Sequence, residues 1–206
     1  MKNDDIVRYM SNHNIPIDPK LASILEGRHM VFVDVETTGP SIINDKVISI
    51  GLAILFPSGE VTTHTNLFGG GRSSPRAFEV HKIPDSDRLY KKRFEDEAPL
   101  YAKMFDNSIM VGHNAKCFDI PLIWGAMKKA GVAFDATVLD TLKIARKIGL
   151  DKVAGKGSLG VLCEYMKIPY GNHNALGDAL STMALFVMLA RRMDDPSLEK
   201  LKILCS

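Results

Sequence analysis

At 206 residues the chain has room for one domain and a modest extension, since domains run to about 100–200 residues each. Hydrophobic residues at 46% and charged residues at 24% exclude a largely disordered or collagen-like chain. With 26 Lys and Arg against 24 Asp and Glu, the formal charge of +2 counts against a nucleic-acid-binding domain, which ordinarily shows a strong positive excess.

Residues 1–28 read as a helical N-terminal extension in two short pieces, around Asp4–Met10 and Lys20–Glu26. Asp18 and Pro19 supply the N-cap and first helical position of the second piece, and Pro16 separates the two. The extension has little of its own to bury, so it is expected to pack on the main body. Its first residues are acidic and polar where a signal peptide needs a basic cap and an apolar stretch. No apolar run approaches the roughly 20 residues of a membrane span. Cys117, Cys163 and Cys205 are widely spaced and odd in number, which fits neither a disulfide framework nor a zinc pattern. A cytoplasmic protein with no membrane partner is the expectation.

Three strands follow. His29–Val35 is almost continuously apolar, as a buried central strand should be; Lys46–Phe56 is a second such run. After a turn at Pro57–Glu60, Val61–Leu67 returns, so the three form an antiparallel meander. The glycine-rich stretch Phe68–Pro75 reads as a loop. Beyond it helices and short strands alternate: helix Ala98–Phe105, strand Ser108–Val111, helix Ile120–Ala130 and strand Thr137–Leu139. Helices near Thr141–Ile148, Ser158–Met166 and Asn174–Met193 come next, the last with an apolar stripe. The fold class is α/β, a mixed β-sheet flanked by helices. The main domain spans 29–193, and 194–206 is a short charged C-terminal tail.

Asp34 and Glu36 sit where a core strand should be apolar. Strand alternation puts both on one face, with Val31, Val33 and Val35 on the other. Paired carboxylates in a desolvated setting repel; at an effective dielectric near 20, like charges 4 Å apart cost about 4 kcal/mol. Something cationic must offset this unless the strand ends there in solvent. Two further acids occupy other elements. Asp119 precedes a helix, where it could serve as an N-cap, and Asp178 lies on the first turns of the last long helix, where an acid also suits the helix dipole. His173 stands five residues before Asp178. Four acids drawn from three separate elements form the hard-oxygen set that Mg²⁺ or Mn²⁺ prefers.

Three motifs in order then make the sequence resemble a known family. They are Val33-Asp-Val-Glu-Thr-Thr-Gly39, Gly112-His-Asn-Ala-Lys-Cys-Phe-Asp-Ile120 and His173-Asn-Ala-Leu-Gly-Asp-Ala179. Val80-His-Lys-Ile83 and Leu139-Asp-Thr-Leu142 fit between them. The chain resembles the DnaQ-like 3′–5′ exonucleases of the DEDDh type, ribonuclease H-like in fold, from about His29 to Met193. The resemblance implies that Asp34, Glu36, Asp119 and Asp178 hold two divalent cations, Mg²⁺ or Mn²⁺, with His173 as general base. The tyrosine subtype is excluded, because Asn174 stands where its tyrosine would be. The implied reaction releases nucleoside 5′-monophosphates from 3′ ends, of single-stranded DNA first and RNA second. Thr37, Thr38, His81, Asn114 and Phe118 are the implied substrate-binding residues.

Thr37 after Glu36, where oligoribonucleases typically carry methionine, leans toward a proofreading or repair role with a DNA polymerase or repair complex as partner. An RNA-trimming exoribonuclease is one alternative. A non-catalytic nucleic-acid-binding or polymerase-accessory module of the same fold is the other. Offsetting four acids with divalent cations also leaves the surface more basic than the formal charge suggests. Lys116, Lys128, Lys129, Lys143, Arg146, Lys147, Lys152 and Lys156 form one basic group, and Arg88, Lys91, Lys92 and Arg93 a second; either group could track phosphates.

Overall fold

The structure, a computed structural model, describes residues 16–206. The helix expected at Asp4–Met10 lies outside the described residues. Helix α1 (Pro19–Leu25) begins as expected: Asp18 accepts the Leu21 N–H at 3.0 Å, and Pro19 fills the first turn. Its Leu21, Ile24 and Leu25 are buried, so this part of the extension belongs to the main core.

Strands β1 (Met30–Thr37), β2 (Val47–Leu55) and β3 (Val61–Leu67) form the antiparallel meander. Helices α2 (Pro75–His81) and α3 (Ala98–Phe105) lead to β4 (Ser108–Gly112). Helix α4 (Asp119–Lys129) then leads to β5 (Ala136–Asp140). After β5 come α5 (Thr141–Lys147), α6 (Leu150–Ala154), α7 (Leu159–Met166), α8 (Ala175–Arg192) and α9 (Leu198–Leu204). The sheet order is β3-β2-β1-β4-β5, with β4 and β5 parallel to β1. This is the mixed sheet flanked by helices that the sequence implies, with β1 at its centre.

Because β1 is buried on both faces, its alternation sorts residues between two cores. Met30 and Phe32 face the larger core with α1, α7, α8 and α9, and Phe32 packs 5.7 Å from the Phe186 ring of α8. Val31, Val33 and Val35 face the smaller core under α3 and α4.

The C-terminal tail needs correction. Residues 198–204 are the helix α9, capped by Ser197, with Leu198, Leu201 and Cys205 buried. Its charged positions 199, 200 and 202 hide that stripe from a compositional reading. Two other helices, α2 and α6, also went unassigned. Among their side chains only His81 is buried, so neither carries the apolar stripe that marks a helix in sequence.

Candidate active site

The site grows from the end of β1. Asp34 and Glu36 continue the face of Phe32, opposite Gly51 and Ser49 of β2, and a bulge follows between Glu36 and Thr37. Two close approaches bring Asp178 to them. A Cβ at Gly51 would lie 2.1 Å from the carbonyl carbon of Ala175, so only glycine lets the start of α8 sit on β2 beside Asp34. A Cβ at Gly171 would lie 2.5 Å from Asp178 Oδ1, so the incoming chain also passes flush against the first turn of α8. Gly51 is a residue that sequence reasoning missed, although a glycine inside a β-branched strand is itself a sign of close backbone approach.

Asp119 does not cap α4; it is that helix's first residue, and its N-cap is Phe118. Its Oδ1 accepts the Val35 N–H at 3.0 Å. The pairing of β1 with β4 covers only Met30 to Phe32, so Asp119 satisfies a strand N–H beyond the end of that ladder. The third acid is thereby tied to the backbone between the first two. Asp178 Oδ2 accepts the His173 N–H at 3.2 Å, while its Oδ1 is buried with no hydrogen-bond partner.

Burial and mutual repulsion dominate this cluster. Desolvation, followed by the charges of Asp119, Asp178 and Glu36, holds Asp34 well above the usual carboxylate range. Burial, then Asp178 and Asp119, raises Glu36 to about 8. Burial raises Asp119 to about 7 against the opposing Val35 hydrogen bond, and Asp178 to about 7 against that of His173. None of the ion pairs among the described residues involves these four acids. No three His, Cys, Asp or Glu side chains among the described residues have closed to metal-ligand spacing. The set is therefore open: carboxyl groups that repel one another when ionised, one oxygen with no partner at all. Divalent cations bound by hard oxygen fit that donor chemistry.

His173 has φ 61° and is exposed just before α8. It shares an open cleft of about 940 Å³ with Asp34, Asp178 and Asn114, and its ring lies edge-on to Tyr170 at 6.2 Å. Asn114 is exposed, with φ 61°, directly after β4.

The remaining expected substrate contacts sit differently. Thr37 and Thr38 are buried; the Thr37 hydroxyl donates to the Gly39 carbonyl at 2.7 Å, and that of Thr38 donates to Asp45 at 2.8 Å. Their hydroxyls shape the loop after β1. His81 is buried, and its Nδ1 accepts the Ile83 N–H at 2.9 Å. Phe118 packs against the smaller core.

Two residues that the sequence left without a role organise the cleft. Buried Asp140 accepts N–H groups from Asn114, Lys116, Leu142 and Lys143, fixing the loop between β4 and α4 to the start of α5. His113 Nε2 donates to the Gly157 carbonyl at 2.8 Å, and burial lowers the ring's pKa against the pull of that bond. The second basic group is largely committed to its own fold. Arg88 is 2% exposed and pairs with Asp85, Arg93 pairs with Asp96, and Lys92 lies 3.9 Å from Glu97. In the first group, Lys116 and Lys143 bond the Cys205 carbonyl.

Comparison with known proteins places the chain in a family. The RNase_T exonuclease family profile matches residues 31–186. The PolC-type DNA polymerase III of Caldanaerobacter subterraneus is 30% identical over 192 residues, covering 91% of this chain and 13% of that protein. The chain thus spans about 13% of the length of such PolC-type relatives. The DNA polymerase III subunit epsilon of Buchnera aphidicola from Acyrthosiphon pisum is 29% identical, covering 81% of this chain and 75% of its own. Among solved structures, E. coli exonuclease I with a dT13 oligonucleotide superposes with TM-score 0.71 at 17% identity, over 80% of this chain and 41% of that one. Exonuclease X with 5′-overhanging duplex DNA gives 0.69 at 22%, over 86% and 99%. No helix among the described residues is long and apolar enough to cross a membrane. The three motifs, the central acidic strand and the profile match converge: the chain belongs to the RNase_T exonuclease family, DnaQ-like with a ribonuclease H-like fold.

Proposed function

We propose that the protein is a metal-dependent 3′–5′ exonuclease, acting on single-stranded DNA ends in proofreading or repair and releasing nucleoside 5′-monophosphates. Membership of the exonuclease family gives the reaction class. The observation that carries the mechanism is the under-satisfied acid cluster, with Asp178 Oδ1 buried and unpartnered beside three other raised carboxyls. Asp34, Glu36, Asp119 and Asp178 would hold Mg²⁺ or Mn²⁺. When bound there, the ions supply Lewis-acid stabilisation of the attacking and leaving oxygens of a phosphodiester.

The chain's own residues do the rest. The His173 ring, at the mouth of the cleft, accepts the proton of the attacking water as its oxygen adds to phosphorus and the bond to the 3′ oxygen breaks. That 3′ oxygen takes up a proton from solvent water, His173 later returns its proton to solvent, and the terminal nucleotide departs as its 5′-monophosphate. Tyr170 holds the His173 ring edge-on. Asp140 fixes the backbone that presents Asn114 to the cleft. A polymerase or repair complex is the proposed partner, supported by the likeness to polymerase-associated relatives.

The test is release of monophosphate from a 3′-labelled single strand in Mg²⁺, with and without chelator. Chelator-sensitive release is expected. His173→Ala should lower turnover by about 10²–10⁴-fold, the usual contribution of a general base. An absence of chelator-sensitive release would overturn the enzymatic reading and favour a nucleic-acid-binding module. Matched DNA and RNA strands in the same assay decide the sugar preference.

A further inference from the structure

The lining of the cleft is cationic as well as acidic. Arg146, in the last turn of α5, and Lys156, in the loop before α7, line the same cavity as Asp34, Asp178 and His173. Both side chains are exposed, and among the described residues neither forms an ion pair. They differ from Lys116 and Lys143 of the same basic group, whose ammonium groups bond chain carbonyls at 2.9 and 3.0 Å. The other acid of the cleft, Glu164, is exposed on α7.

This part of the lining is anchored to the fold. His113, at the end of β4, donates to the Gly157 carbonyl next to Lys156. The Arg146 guanidinium lies over the same glycine: a Cβ there would meet Leu142 Cδ1 at 2.6 Å and Arg146 Nε at 4.0 Å. The His113 bond thus fixes the backbone beside Lys156, and the Arg146 side chain lies near the same glycine. At about 940 Å³ the cleft also lies near the upper end of the roughly 300–1,000 Å³ typical of small-molecule sites, so it has room for more than a terminal nucleotide.

The chemistry of a 3′ end then decides what the cations meet. A 3′-terminal nucleotide ends in a hydroxyl, so the strand has no phosphate beyond the scissile one on that side. Cations that line the cleft without pairing with the acid cluster find further phosphates only on the 5′ side of the cut. We propose that Arg146 and Lys156 form a subsite for the backbone phosphate 5′ to the scissile linkage, on the strand that remains after each cut. The proposal rests on the exonuclease reading of the acid cluster and adds a specificity to it: a preference for strands with an internal charged phosphate beyond the bond being broken.

The test compares wild type with the double variant Arg146→Ala, Lys156→Ala on a single-stranded DNA oligonucleotide in saturating Mg²⁺. We expect KM to rise by about 10-fold with kcat within about 2-fold, because the pair binds strand rather than reacting atoms. The salt slope of log(kcat/KM) should become shallower by about 0.7, the contribution of one phosphate contact on a single strand. An oligonucleotide with a neutral methylphosphonate at the penultimate linkage should raise the wild-type KM and leave that of the double variant unchanged. The charge-keeping variant Arg146→Lys, Lys156→Arg should restore KM to within about 3-fold of wild type. An unchanged KM and salt slope, a loss confined to kcat, or an equal response of both proteins to the neutral linkage would overturn the subsite. No chelator-sensitive release by wild type would overturn the exonuclease reading and the subsite with it.

Discussion

Asp140 and Asp178 are buried to nearly the same degree, at 1% and 5% exposure, and their surroundings are opposite. Asp140 accepts four backbone N–H groups, and its own N–H meets the Cys205 sulfur at 3.2 Å. Asp178 accepts one, from His173, and leaves Oδ1 with none. Desolvation disfavours a buried carboxylate unless donors replace the lost water. At Asp140 the backbone does so, and the acid serves the architecture. At Asp178 the fold leaves the debt open and adds three more carboxyls, an arrangement that favours folding only with a cation or bound protons. The number of donors around a buried acid therefore separates structural from functional carboxylates more sharply than burial does.

The largest effect should come from breaking the functional member. Asp178→Asn is expected to lower turnover by about 10³-fold, since losing part of a metal site forfeits several kcal/mol of transition-state stabilisation. The same change should leave the metal-free melting temperature unchanged or raise it, because it removes a repelling charge. Turnover is read in the 3′-label assay and stability by thermal unfolding. Asp140→Ala should reverse the pattern. Stranding four backbone donors costs about 3 kcal/mol or more, or roughly 6–12 °C in melting temperature for a domain of this size. Turnover per folded molecule should fall far less than in Asp178→Asn. If both variants failed in the same way, the distinction between the two acids would be lost.

A smaller effect concerns pH. The raised folded-state pKa values mean that the metal-free protein keeps protons on this cluster that the unfolded chain gives up near the ordinary carboxylate range. Stability from this source is fully present below the unfolded values and lost as pH rises through about 7 to 8. The metal-free melting temperature should therefore fall on the order of 5 °C between about pH 5 and pH 8. Saturating Mg²⁺ should flatten the slope, and Asp178→Asn should reduce it without metal. Scanning calorimetry across that range would read all three.

Much of this was legible in the sequence because it rests on periodicity. The alternation of Val31, Val33 and Val35 against Asp34 and Glu36 placed the acids on one face, and the order of the three motifs brought the family into view. What escaped depended on partners that only the folded backbone brings into reach, whether near in sequence or far. The Thr37 and Thr38 hydroxyls have no evident acceptors in the sequence until the fold supplies Gly39 and Asp45. Arg88 looks like part of a basic run until Asp85 and Ser73 surround it. Helix α9 carries its apolar stripe under enough charge to pass for a tail. The signal for Gly51 was present, as a glycine inside an apolar strand, but its meaning depends on α8, more than a hundred residues away.

The central claim is that the under-satisfied carboxylates exist to bind divalent cations. Calorimetric titration of Mn²⁺ into the metal-free protein, wild type against Asp178→Asn, tests it most directly. Saturable binding by wild type, with affinity weakened about 10-fold or more in Asp178→Asn, is the expected result. No saturable binding by wild type, or binding that survives Asp178→Asn undiminished, would contradict it.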